Sequence, residues 1–194
     1  MVNRILFVCT GNTCRSPLAE GMLRLMAEEA GLPLDIRSAG TAASEGCPIS
    51  PHSRQILQSK GMQEMLLSSP VSGEHVNWAE LILTMTMGHK RSLIQQYPEA
   101  ADKTFTLKEY VRHEEEAAAE AEKERAVAEW EIQKALNPSL SGVEMPPWLE
   151  WSATSSDYDI SDPFGGSFDV YKRCADEIEL CLRRLLDKLK SSQQ

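Results

Sequence analysis

The chain has 194 residues, 42% of them hydrophobic, and a formal net charge of -9, which suits one sizeable core and argues against a second full domain. Its acidity excludes general binding to nucleic acid or to anionic membranes, which takes a basic surface, and still leaves room for a local anion pocket. The opening MVNRILFVCT lacks a signal-peptide layout and no stretch is apolar enough for a membrane span. Five cysteines without the spacing of a disulfide scaffold predict reduced thiols in a cytoplasmic protein.

In chain order, Arg4 to Val8 reads as a short buried strand. Pro17 to Ala30 carries apolar residues at Leu18, Met22, Leu25 and Met26, a helical recurrence that Gly31 would stop. Asp35 to Ala39 is predicted as a second strand ending at Gly40 and Thr41, and Pro51 to Gly61 as a second helix. The apolar run Glu80 to Thr86 predicts a third strand, followed by a helix over His89 to Tyr97 and a fourth strand over Lys103 to Leu107. Strands alternating with helices predict an α/β fold, a Rossmann-like parallel sheet of four strands flanked by helices, with ligands at the carboxyl ends of the strands.

The composition then changes. From Glu114 to Glu131 eight glutamates face only Lys123 and Arg125, and Val127, Trp130 and Ile132 make no broad stripe. This reads as a largely solvated helix, with an irregular stretch from Asn137 to Asp157. The final helix resumes between Gly165 and Lys190, with Val170, Cys174, Ile178 and Cys181 at helical spacing.

The chemistry concentrates in CTGNTCRS, Cys9 to Ser16, where the first strand ends. Five residues between Cys9 and Arg15 can wrap a phosphate-sized anion, with Gly11 expected at positive φ so that successive N–H groups point inward. Ser16 is expected as the N-cap and Pro17 as the first helical residue, so that the positive end of the helix dipole faces the loop. A thiol in that field ionises more readily, Arg15 offers a planar fork for two phosphate oxygens, and Ser16 can donate to the sulfur as it leaves. These features point to nucleophilic catalysis on a phosphate ester or amide; the bland alternative is a strand-to-helix turn. A proton donor is also required, and Asp162 in SDPFGG is the candidate, since Pro163 holds it extended. By its residues alone, that stretch reads more readily as an ordinary Asp-Pro turn initiator.

CTGNTCRSPLAE, SAG at Ser38 to Gly40, LILTMT at Leu81 to Thr86 and DPFGG at Asp162 to Gly166 together resemble the low-molecular-weight protein tyrosine phosphatase family. The resemblance runs from Arg4 to about Arg112 and again from Asp159 onward. It implies Cys9 as nucleophile, Arg15 as phosphate clamp and Asp162 as general acid, with a phosphocysteine intermediate. Thr10, Gly11, Asn12, Thr13, Cys14, Ser16 and Phe164 would surround the substrate, Asn12 bracing the loop and Ser16 tuning the thiolate. Thr13, the Phe of DPFG and FTLKEYV at Phe105 to Val111 resemble the bacterial protein-arginine phosphatase branch, where tyrosine-directed members carry isoleucine and tyrosine. Threonine is smaller and brings a hydroxyl, so it suits a guanidinium better than a phenyl ring; a loop-packing variant without effect on specificity is the alternative.

The resemblance also supports a reversible Cys9–Cys14 disulfide that would shield the nucleophile, against a simple packed thiol. The family needs no metal or cofactor, and the four histidines show no compact ligand spacing, so surface or core roles are expected for them. Residues 114–157 read as an insertion in a single phosphatase domain spanning 1–194, either a solvated helix and loop or a lid. Expected partners are phosphorylated proteins. Competing readings are a tyrosine phosphatase, an arsenate reductase, for which Cys174 and Cys181 on a helix fit poorly, and a non-catalytic phosphoprotein-binding module, which needs no thiol.

Overall fold

A computed structural model of the chain describes residues 2–112, 114–137 and 158–191. Four parallel strands, β1 (Arg4–Cys9), β2 (Asp35–Gly40), β3 (Leu81–Thr84) and β4 (Thr104–Thr106), form one sheet in the order β2-β1-β3-β4. β1 is central, pairing Val8 with Ala39 on one side and with Thr84 on the other. A strand bonded on both edges and covered on both faces reads as an unbroken apolar run, which is why ILFVC is buried throughout.

Alternation along β1 divides the core. Ile5 and Phe7 face α1 (Arg15–Glu29), α2 (Pro51–Ser59), α5 (Leu107–Val111) and α7 (Phe168–Ser191), meeting Leu18, Met22, Ile56, Val111 and Leu182. Leu6 and Val8 face α3 (Gly73–Trp78) and α4 (Met87–Gln96), meeting Val76 and Leu93. In α7 the buried residues Tyr171, Cys174, Ile178, Cys181, Leu182, Leu185 and Leu189 follow helical spacing. Leu182 and Leu185 are wholly buried, each contributing about 1.5–3 kcal/mol.

The predicted strands and long helices appear within a few residues of their expected ends. Two short helices, α3 and α5, were not anticipated, nor was the 3-10 turn at Pro98–Lys103. α3 is capped by the Ser72 hydroxyl, which accepts the His75 N–H, and α5 begins where the fourth strand was expected to end.

The chain divides into two compact units, Met1–Val111 with Tyr158–Gln194, and Arg112–Asp157. Within the second, α6 runs from Glu114 to Leu136, as its Glu, Ala and Lys content predicts. Ile132 and Leu136 are exposed there, and the Lys134 ammonium lies 4.7 Å from the Trp130 ring centre. The irregular stretch expected up to Asp157, with Trp148 and Trp151, lies almost wholly outside the described residues. No described helix is long and apolar enough to cross a membrane.

Candidate active site

Cys9 is the last residue of β1 and is 3% exposed, at the carboxyl edge of the sheet. The loop that follows is held from outside by its carbonyls. Cys9 and Thr10 accept the N–H groups of Thr41 and Ala42, both at 2.9 Å, and Thr13 accepts that of Ser50 at 2.8 Å. With these carbonyls turned outward, the loop N–H groups are the ones left to meet an anion. That of Asn12 already points at the Cys9 sulfur, 3.3 Å away.

The left-handed residue of the loop is Asn12, with φ of 51°, and not Gly11 as expected. Asparagine tolerates this conformation because its short amide bonds locally. Here Nδ2 donates to Ser16 Oγ at 2.9 Å and to Ser38 Oγ at 2.7 Å, while Oδ1 accepts the Ser69 N–H at 2.8 Å. Ser38 in turn donates to the buried carboxylate of Glu20, which also pairs with Arg24. Burial pushes the Glu20 carboxyl above its ordinary range.

Ser16 was expected to cap the first helix with its hydroxyl. Instead α1 begins at Arg15 behind Cys14, with no side-chain cap. The Ser16 hydroxyl is occupied by Asn12 and lies 3.0 Å from the Cys9 sulfur. A hydroxyl there can support negative charge on sulfur. Asn12 and Ser16 are wholly buried, and their side chains brace the loop and the sulfur. Cys14 likewise turns its sulfur into the core, 3.1 Å from the Tyr171 hydroxyl. Only its backbone remains for a ligand. Cys9 and Cys14 are both free thiols here.

Arg15 is 6% exposed, and its guanidinium reaches Asp162 Oδ2 at 2.9 Å. The other carboxylate oxygen of Asp162 accepts the Phe164 N–H at 3.2 Å. The structure therefore brings Cys9, Arg15 and Asp162 to one edge of the sheet, although 147 residues separate the last two. Phe164 is 79% exposed beside Asp162. Thr10 is exposed at the rim, Thr13 half-buried, and Gly11 has nothing closer than the Thr13 hydroxyl to a side chain added on it, at 3.6 Å.

One site neighbour was missed. His89, read as a surface or core histidine, places Nε2 2.7 Å from the Thr10 hydroxyl and Nδ1 2.8 Å from that of Thr86. Burial and the nearby Arg15 charge pull its pKa down to about 4, so it is neutral at pH 7. Thr86 Oγ1 accepts the backbone N–H of His89 and can give its own proton to Nδ1, which leaves Nε2–H to donate to Thr10. The spacing T-x-x-H at the start of a helix is the signal that was available. Among the described residues no group of histidine, cysteine and carboxylate side chains could hold a metal ion.

Residues 4–124 match the family described as Low molecular weight phosphotyrosine protein phosphatase, and the chain belongs to that family. It is 37% identical over 194 residues to a protein-arginine-phosphatase of Geobacillus stearothermophilus, covering 100% of both chains. A solved structure of the YwlE arginine phosphatase from that organism matches with a TM-score of 0.70 at 38% identity, covering 98% of this chain and 95% of that one. A YwlE arginine phosphatase structure with cysteine mutated to serine, and that active-site serine phosphorylated, matches with a TM-score of 0.71 at 35% identity, covering 96% and 95%. The low molecular weight protein-tyrosine-phosphatase PtpB of Staphylococcus haemolyticus is 30% identical over 182 residues, 94% of this chain and 96% of that one.

Proposed function

We propose that the protein is a cysteine-dependent protein phosphatase that hydrolyses phosphoarginine in protein substrates. The observation that carries the mechanism is the convergence of Cys9, Ser16, Arg15 and Asp162, with the sulfur 3.0 Å from the Ser16 hydroxyl and the guanidinium 2.9 Å from the Asp162 carboxylate. The choice of arginine rests on Thr13 and on full-length similarity to protein-arginine-phosphatases.

In this reading the dianionic phosphoryl group sits in the loop, held by backbone N–H groups and the Arg15 fork. The Cys9 thiolate attacks phosphorus and the P–N bond breaks, its electron pair remaining on nitrogen. Asp162 delivers a proton to that nitrogen, so that arginine leaves as a guanidinium. Water then attacks the phosphocysteine and gives its proton to the Asp162 carboxylate. The S–P bond breaks, phosphate departs and the Ser16 hydroxyl supports the returning thiolate. Asp162 is 55% exposed, which lets it face a guanidinium as well as protonate it. The cytoplasm, which keeps Cys9 reduced, is the compartment this chemistry needs.

Steady-state turnover of matched phosphoarginine and phosphotyrosine peptides by the reduced protein tests the proposal, with Cys9→Ser as control. Preference for phosphoarginine, lost in Cys9→Ser, is the expected result. Preference for phosphotyrosine would keep the mechanism and overturn the arginine assignment; stoichiometric binding without turnover would leave only a binding module.

A further inference from the structure

The segment that carries Asp162 belongs to no helix or strand: residues 159–163 form an irregular run between the second compact unit and α7. Asp162 is itself half exposed, so packing does not fix its carboxylate. Something else must hold the backbone on which a proton donor depends, because displacement by about 1 Å can cost a hundredfold in rate.

Three residues before it anchor the run. The Asp159 carboxylate accepts the Met87 N–H, the first of α4, at 2.7 Å. Ile160 is 1% exposed and donates its N–H to the Met85 carbonyl at 2.8 Å. Ser161, immediately before the acid, directs both its hydroxyl and its N–H at one oxygen of Glu177, at 2.7 and 3.3 Å. The other Glu177 oxygen takes the Lys108 ammonium at 2.7 Å. The Ser161 carbonyl accepts the Cys174 thiol at 3.3 Å. Burial pushes that thiol up to about 12, so the sulfur keeps its hydrogen and remains a donor. Glu177 and Cys174 both belong to α7, which is locked into the core, whereas Lys108 belongs to α5. Hydrogen bonds from Lys108 and Ser161 hold the Glu177 carboxyl below its ordinary range despite partial burial.

We infer that Glu177 is a positioning residue for the general acid: it clamps Ser161 from the rigid face of α7 and thereby sets where Asp162 stands relative to Arg15 and the leaving group. The inference deepens the proposed function and rests on Asp162 being the acid. A carboxylate suits this task because it accepts two donors from one residue while Lys108 balances its charge. Glu177 touches neither substrate nor the Cys9 sulfur, so its removal acts through the placement of Asp162, first on the proton given to the leaving group and later on the proton taken from water.

Leaving-group dependence separates this from a merely structural role. p-Nitrophenyl phosphate releases a stable anion, whereas phenyl phosphate releases a phenoxide that needs a proton, the parent acid having a pKa of about 10. Glu177→Ala and Ser161→Ala are compared with Asp162→Asn on both esters, with inhibition by inorganic phosphate as the measure of loop integrity. Removal of a general acid costs about 10²–10⁴-fold, and a misplaced acid loses part of that, about tenfold for phenyl phosphate. Glu177→Ala and Ser161→Ala should therefore lose about tenfold in kcat/KM, which ends at phosphoryl transfer to Cys9, on phenyl phosphate and less than about twofold on p-nitrophenyl phosphate, with phosphate inhibition unchanged. Glu177→Gln, which keeps an oxygen for Ser161, should lie between these variants and the parent. If Asp162→Asn discriminates between the esters and neither the Glu177 nor the Ser161 variants do, the inference alone is overturned. If Asp162→Asn lowers kcat/KM equally for both esters, the acid assignment falls and the inference with it.

Discussion

Replacing Asn12 by alanine tests whether the loop is held by its buried amide. The side chain is wholly buried and makes three hydrogen bonds, to Ser16, Ser38 and the Ser69 N–H, at 2.7–2.9 Å. Neutral bonds contribute about 1 kcal/mol each, so their loss amounts to about 3 kcal/mol. Alanine at φ of 51° adds about 1 kcal/mol of left-handed strain. The total of about 4 kcal/mol corresponds to a fall in Tm of about 8–16 °C for a chain of this size. Urea denaturation monitored by tryptophan fluorescence measures it directly. Asn12→Gly separates the two contributions, because glycine accepts the backbone angle, and it should recover about 1 kcal/mol relative to alanine. Turnover should fall in both variants, since the Asn12 N–H and Ser16 hydroxyl at the sulfur lose their support. A loss under about 1 kcal/mol in Asn12→Ala would refute the reasoning, as would equal stability of the alanine and glycine variants.

Gly40→Ala should cost about 1–3 kcal/mol and depress activity, because an added Cβ would strike the Thr10 carbonyl and approach Ala43 Cβ and Asn12 N at 2.8 and 2.9 Å; urea midpoints and turnover would reveal it. The site pulls the His89 pKa down to about 4 from its ordinary 6.5, so the unfolded chain binds the extra proton between those values. Its contribution to stability is complete above about pH 6.5 and is lost as the pH falls toward 4. Melting temperatures of the parent between pH 4 and 7 should therefore drop more steeply than those of His89→Gln. Parallel curves would show that the histidine is not held neutral by its site. Thr13→Ile should raise the ratio of kcat/KM for phosphotyrosine over phosphoarginine peptides; an unchanged ratio would reduce Thr13 to packing.

The parallel sheet was legible because its strands are covered on both faces and read as unbroken apolar runs, LILT in β3 as plainly as ILFVC in β1. The long helices carried period and stop signals, such as Gly31. Short elements were hidden: α5 has five residues, too few to show a period, and follows β4 without a break. The loop motif located Cys9, Arg15 and Ser16, but local rules misplaced two details. Ser16 has a good capping side chain, yet the sulfur and the Asn12 amide claim it; Gly11 has the freer backbone, yet Asn12 takes the left-handed position because three hydrogen-bonded partners hold it there. His89 and Glu177 escaped notice for a different reason. Their partners lie 79 and 16 residues away in the chain, and only the fold shows that they face the same site.

The ion pair between Arg15 and Asp162 also orders events in time. The strand and loop that hold Cys9 are made first, while Asp162, the proposed acid, follows Arg15 by 147 residues and α7 comes later still. At about 5–20 residues per second, synthesis separates the two by roughly 7–30 s. During that interval a growing chain owns the thiol and the phosphate loop with neither the proposed proton donor nor the packing of α7 against α1. On the proposed roles, activity is thereby reserved for chains translated past Asp162 and through α7.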